Sequence, residues 1–380
     1  MVEKVKGITI KPNFIKDHLF VLVKATLENP SFSSQTKTEC TLKLQKFGSK
    51  FEISDDFTKK VCKLGVLDDA LALAKHKELR ELSKTDGTKK ISLKNVPKLN
   101  DANKAGTNKS QKCTLILTEG DSALATAIAG LGVVGRDYYG AFPLRGKLLN
   151  VREASAKQLL ENAEINALKQ ILGLQQNKVY TNVSELRYGK IMILTDADVD
   201  GSHIKGLLMN FLHHFWPSLF QNDFVTAMIT PVLKMHNRSN KMEFYSLADF
   251  QKWKESNTTN GWSIKYYKGL GTSTTAEAKE YFQNMNKNVI KYTNSSETDT
   301  TMLLAFKKEN ADHRKKWIVE GIHRNEVLNY NEKEVRFDEF INKDLIWFSI
   351  ADVQRSIPSA IDGLKPSQRK ILYASRKRSS

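Results

Sequence analysis

Three carboxylates fall at alternate positions in T-D-A-D-V-D-G (195–201): Asp196, Asp198 and Asp200, with Gly201 directly behind them. If the stretch stays extended, period-two geometry sets all three on one side. Their mutual repulsion then favours a bound cation or raised pKa values. Calcium in an EF-hand is the first chemistry to test, because D-x-D-x-D-G opens such a loop. The test fails twice. Position twelve counted from Asp196 is Leu207 rather than Glu. The residues in front, K-I-M-I-L (190–194), read as a buried strand and not a helix. A divalent cation held by few protein oxygens and several waters fits better, and Mg²⁺ is the ion of that kind. One aspartate at a strand end would read as a helix cap facing water; three in alternation weaken that reading.

The elements that must position these acids alternate. Strand 190–194 leads into the aspartates, and a helix follows over 202–215, with Pro217 helping to end it. Earlier, C-T-L-I-L-T (113–118) reads as a second buried strand, followed at once by E-G-D-S-A and the small-residue helix L-A-T-A-I-A-G-L. Glu119 therefore stands at a strand end as the aspartates do. Asp121 has two open readings, a cap on the helix behind it or a contribution to catalysis. Another helical pattern runs over 156–172. Alternating strands and helices predict a parallel sheet with helices on its faces, and ligands of such sheets bind at the C-terminal strand edge. His213 and His214 are adjacent and point to different helix faces, which makes a two-histidine metal grip a poor reading. His203 lies nearer the acids, but the sequence gives it no role.

Outside this region, 18–27 (H-L-F-V-L-V-K-A-T-L) is β-like and 66–82 is helical. Residues 83–112 lose apolar periodicity and are small, polar and Lys-rich, a linker or a DNA-facing loop. The 380 residues have room for two or three domains, with 40% hydrophobic and 27% charged residues. The net charge of +17 suits a polyanion, nucleic acid first and an acidic membrane surface second. Cys40, Cys62 and Cys113 form no C-x-x-C pair, so neither a zinc site nor a disulfide framework is expected. No apolar run approaches membrane-spanning length and no secretory signal opens the chain, which gives the expectation of a soluble, intracellular protein. The Lys clusters are compatible with nuclear entry.

A Glu at one strand end and an acid triplet at another resemble the toprim fold, shared by primases, nucleases and topoisomerases. Four further stretches narrow the resemblance: Q-T-K (35–37), P-L-R-G-K-L-L-N (143–150), K-G-L-G-T (268–272) and I-P-S-A-I-D-G-L-K-P-S-Q-R-K (357–370). In this order they resemble type IIA DNA topoisomerases, over almost the whole chain. The toprim and G-L-K-P-x-Q-R regions share one polypeptide, as in the eukaryotic topoisomerase II arrangement.

The resemblance implies an α/β toprim (Rossmann-like) sheet at 113–227, continued by an insert at 228–345. Part of an α+β transducer domain (1–82) and the basic linker (83–112) precede it, and the start of a winged-helix domain (346–380) follows. It implies Mg²⁺-dependent opening and religation of both strands of double-stranded DNA, coupled to ATP, in a nuclear homodimer. By the same resemblance, Glu119 and Asp196 bind one Mg²⁺ and Asp196 and Asp198 a second. Asp200 acts from further out or through water. Glu119 can also move a proton at the 3′-oxygen. Arg145, Lys147, Asn150, Lys365 and Arg369 contact DNA, and Gln35, Thr36 and Lys37 reach ATP. Lys268 lies in a turn whose glycines can serve geometry alone. The basic run 307–316 either tracks phosphates or is a charged helix face. The resemblance puts the ATPase core ahead of this chain and the nucleophilic tyrosine beyond Ser380, so Tyr373 is not nominated. The competing readings are a toprim nuclease and a non-catalytic, basic DNA-binding remnant.

Overall fold

Apolar runs bounded by polar turns become the strands that carry the acids. The computed structural model describes residues 4–5, 8–9, 12–48, 52–91, 93 and 96–378. Parts of three expected segments lie outside the described residues: 1–3, 6–7, 10–11 and 49–51 of 1–82, 92, 94 and 95 of 83–112, and 379–380 of 346–380. Contacts divide the chain into Met1–Glu81 and Leu82–Ser380.

In the second unit, β1 (Thr114–Thr118), β2 (Tyr139–Pro143), β3 (Lys190–Leu194) and β4 (Val225–Met228) pair in parallel, in the order β4-β3-β1-β2. A separate antiparallel sheet holds β5 (Leu233–His236), β6 (Lys241–Phe244) and β7 (Ser263–Tyr266). The chain then returns to the large sheet. There β8 (Val289–Thr293) runs antiparallel to β4, and β9 (Glu334–Arg336) lies parallel to β8 at the edge. The parallel strands read as unbroken apolar runs because helices cover both faces. Their side chains still sort with period two: Leu115, Leu117, Ile191 and Ile193 enter one core layer, and Ile116, Met192 and Leu194 the other. Each such buried Leu or Ile stabilises the sheet by about 1.5–3 kcal/mol.

Helix α1 (Asp121–Val134) follows β1, and α2 (Val199–Phe215) follows β3. Small residues let α1 lie close to α3 (Thr275–Gln283), for a Cβ at Gly130 would stand 2.2 Å from the Phe282 ring. On the other face, α2 packs against α4 (Ile346–Ser356) and the π-helical turn Ile341–Leu345 that leads into it. A buried lock joins them. Asp344 accepts from Lys205 Nζ at 3.1 Å and from Ser202 Oγ at 2.6 Å.

Several expectations need correction. Helix α2 begins at Val199 instead of 202, because Asp198 caps it, so the aspartates do not form one extended stretch. The helix expected over 156–172 is two helices, Ala156–Glu161 and Ala163–Leu172, divided where the Asn162 side chain caps the second by accepting from Ile165 N. Residues 83–112 are mostly irregular chain over their described length, but chain anchored to the second unit and not a free, solvated linker. Asp86 pairs with buried Lys169 at 2.8 Å, Asp101 pairs with Arg187 and the Tyr188 hydroxyl, and Asn100 bridges to Ala141 of β2. Polar composition hides this because the anchors are buried ion pairs and hydrogen bonds, which carry no apolar period.

In the first unit, helix Val66–Leu82 lies where the periodicity places it, and Phe14 and Ile15 pack against Ala70 and Leu71. Residues 18–27 do not form the expected strand: among the described residues they have no ladder partner, and Phe20 and Leu22 are 90% and 85% exposed.

Candidate active site

Register brings the first two acids together. Thr118 of β1 pairs with Leu194 of β3, so Glu119, one residue beyond its strand, and Asp196, two residues beyond its own, emerge close together at the C-terminal edge. The Asp196 backbone amide donates to Glu119 Oε2 at 3.3 Å. Burial raises the Glu119 pKa, and the charges of Asp196, Asp198 and Asp200 push it the same way.

The three aspartates then part company. Asp196 Oδ1 accepts the Leu270 amide of K-G-L-G-T at 2.8 Å. That approach depends on Gly269, where a Cβ would stand 2.3 Å from Asp196 Oδ2. Asp198 is the N-cap of α2, accepting the Gly201 amide at 2.8 Å. Asp200, in the first turn of α2, is gripped by cations. Lys147 Nζ donates to Oδ1 at 2.6 Å, and Arg355 of α4 donates to both oxygens at 2.8 and 2.9 Å. Those hydrogen bonds, Arg355 first, hold the Asp200 carboxyl far below the usual carboxylate range.

The P-L-R-G-K turn is stapled to the end of β1, with Leu144 N donating to Thr118 O at 2.8 Å and Gly146 at φ 85°. This fixes Lys147 beside Asp200, while the Arg145 side chain is exposed and its amide donates to Glu164 at 2.5 Å. Asn150 is committed to the protein: it donates to Phe306 O at 2.8 Å and accepts from Asn210 at 2.9 Å. Arg369 forks onto Asp362, and Lys365 N donates to Gln368 Oε1 at 2.8 Å, so both make their described contacts within their own segment. In the first unit, Gln35, Thr36 and Lys37 are exposed in a loop closed by the Phe32–Cys40 bridge, with Lys37 at φ 54°.

Asp121 caps nothing; it is the first residue of α1, and its carboxylate pairs with Lys98 at 2.5 Å. His213 is a packing residue held between Arg152 at 2.8 Å and Asp299 at 2.7 Å. Within the basic run 307–316, Arg314 caps the preceding helix by donating to Leu304 O at 2.8 Å, while Lys315 pairs with Asp312 on the exposed helix face. Sequence reasoning missed Arg355, although it stands two residues ahead of the quoted I-P-S-A-I-D-G stretch. It also missed Phe348, whose ring stacks on His203 at 3.7 Å. Neither residue carries a local signal; only helix packing brings them to the acids.

Among the described residues, no three Asp, Glu, His or Cys side chains converge as a ready cation cage. The donor chemistry still fits a hard cation. Glu119, Asp196 and Asp198 offer carboxylate oxygens only, and a cation among them would offset the burial and the mutual repulsion that raise Glu119.

A Toprim domain matches residues 114–228, and the C-terminal associated domain of TOPRIM matches 228–353. Fold and sequence thus define a toprim protein. The chain belongs, as a segment, to the eukaryotic type IIA DNA topoisomerase family. It is 49% identical over 389 residues to DNA topoisomerase 2 of Drosophila melanogaster, covering 98% of this chain and 27% of that protein. Against DNA topoisomerase 2 of Arabidopsis thaliana the identity is 50% over 382 residues, covering 99% and 26%. The chain therefore spans about a quarter of the length of these relatives. Among solved structures, the Plasmodium falciparum topoisomerase II DNA-binding, cleavage and re-ligation domain aligns with a TM-score of 0.71 and 46% identity, over 76% of this chain and 40% of that one.

Proposed function

We propose that this chain is the Mg²⁺-dependent, DNA-engaging toprim portion of an ATP-dependent type II DNA topoisomerase. The observation that carries the reading is the parallel pairing of β1 with β3, which brings the Glu119 carboxylate to the Asp196 backbone amide while K-G-L-G-T holds the Asp196 side chain from the other side. Glu119, Asp196 and Asp198 would hold the metal. When bound, Mg²⁺ supplies Lewis-acid stabilisation of charge on the scissile phosphate and the departing 3′-oxygen. Glu119, its pKa raised, is suited to hold or give a proton at that oxygen. Arg145 and Lys147 lie on a turn fixed to the same strand edge and suit phosphate contacts, which position a duplex without reading its sequence. Asp200 stays outside the metal set, neutralised by Lys147 and Arg355.

In the complete enzyme, Gln35, Thr36 and Lys37 serve ATP, Lys365 and Arg369 add DNA contacts, and the protein works in the nucleus as a homodimer. Among the described residues no helix is long and apolar enough to cross a membrane.

The test is a chimera in which this chain replaces the matched segment of the Drosophila relative, assayed for ATP-driven relaxation of supercoiled plasmid. The chimera should relax DNA, and Asp196→Asn or Glu119→Gln should lower the rate at least about 100-fold. Undiminished relaxation in both variants would remove the acids from the mechanism.

A further inference from the structure

Two cations from distant points of the sequence meet one carboxylate beside the acid cluster. Lys147 Nζ stands 2.6 Å from Asp200 Oδ1, and the Arg355 guanidinium forks onto both Asp200 oxygens at 2.8 and 2.9 Å. The same cations lie 4.6 and 5.5 Å from the centroid of one ring, Phe348. A guanidinium fork and an ammonium fixed over an aromatic ring form a receptor for a phosphate oxyanion, with more donors than a carboxylate uses. The side chains of Lys147, Arg355 and Asp200 are 40%, 43% and 32% exposed, so a solute can reach them.

We infer that Lys147, Arg355 and Phe348 form a phosphate-binding site that Asp200 occupies as an internal stand-in, so that a phosphate enters by displacing the Asp200 carboxylate. The cations are thereby held in place before the ligand arrives, and affinity is set by competition with Asp200. Only the source of the phosphate, a duplex backbone, rests on the function proposed above. The occupant and its receptor come from different elements: Lys147 from the turn after β2, Asp200 from α2 and Arg355 from α4. The Asp344–Lys205 lock fixes α2 against α4 and so holds the exchange site together.

Duplex affinity of the 380-residue chain, measured by fluorescence anisotropy in EDTA, tests this without any metal. Asp200→Asn removes the stand-in and should tighten binding about 5–10-fold. Asp121→Asn makes the same charge change at the start of α1, at an exposed pair with Lys98; it should change affinity less than about 2-fold. Adding Arg355→Gln should abolish the gain from Asp200→Asn. Equal gains in both aspartate variants would mean bulk charge, and no gain in Asp200→Asn would mean a structural ion pair; either overturns the inference.

Inorganic phosphate, followed by the ¹⁵N signal of the Arg355 side chain, separates the phosphate site from the function. Phosphate should shift that signal at lower concentration in Asp200→Asn than in the unsubstituted chain. No shift in either protein overturns the site. A shift with phosphate but no duplex binding would leave the site standing and overturn the DNA reading.

Discussion

Asp196 and Asp200 stand four residues apart in one motif and meet opposite surroundings. Asp196 faces a carboxylate, Glu119, and the backbone amide of Leu270, which leaves its charge uncancelled. Asp200 faces an ammonium and a guanidinium, which cancel its charge twice over. The positioning also differs. Strand register places Asp196, whereas the packing of α2 against α4 places Asp200. A repeated residue in a short motif thus meets two kinds of surroundings, one that suits a bound cation and one that already anchors the protein's own cations.

The sharpest way to break this division is to attack the packing that supports only Asp200. Asp344→Ala leaves Lys205 buried and unpaired, which should cost about 3–5 kcal/mol in chemical denaturation. If the loss is under about 1 kcal/mol, the lock does not position α2. Next in size is the other side of the comparison. Gly269→Ala forces a Cβ against Asp196, and overpacking of this kind costs about 1–3 kcal/mol. Hydrogen exchange at the Leu270 amide should quicken with it; an unchanged rate would mean that the glycine serves only the turn.

A smaller effect comes with acid. Burial first, then the Lys147 charge, pushes His203 down to about 4, from an unfolded value of about 6.5. The unfolded state therefore takes up the proton first, and stability is full above about pH 6.5 and falls as pH drops through the window down to about 4. The slope from this one group is below about 1.4 kcal/mol per pH unit. It should vanish in His203→Gln, and persistence of the slope would place the titration elsewhere. The smallest effect belongs to Asp121, whose exposed pair with Lys98 should be worth under about 0.5 kcal/mol by a double-mutant cycle.

Much of the sheet was legible because buried parallel strands announce themselves as apolar runs. Thr114–Thr118 and Lys190–Leu194 fall, to within one residue, where C-T-L-I-L-T and K-I-M-I-L predict them, and the acids follow at their ends. The same kind of run at 18–27 predicts a strand that does not form, since apolar character cannot supply a ladder partner. The alternation of Asp196, Asp198 and Asp200 was visible, but its geometry was not: a cap at Asp198 converts period two into helix at that residue. Gly269 was visible as a turn residue, while its closeness to Asp196 exists only once the chain folds. Arg355 was invisible for the same reason, because its partner lies 155 residues away in sequence. Motif reading found the acids and missed what holds them.

Calorimetric titration of the 380-residue chain with Mg²⁺, beside Asp196→Asn and Asp200→Asn, tests the division directly. The expected result is saturable binding weakened at least about tenfold by Asp196→Asn and less than about threefold by Asp200→Asn. Equal losses, or a larger loss at Asp200, would contradict the assignment of the two aspartates to different work.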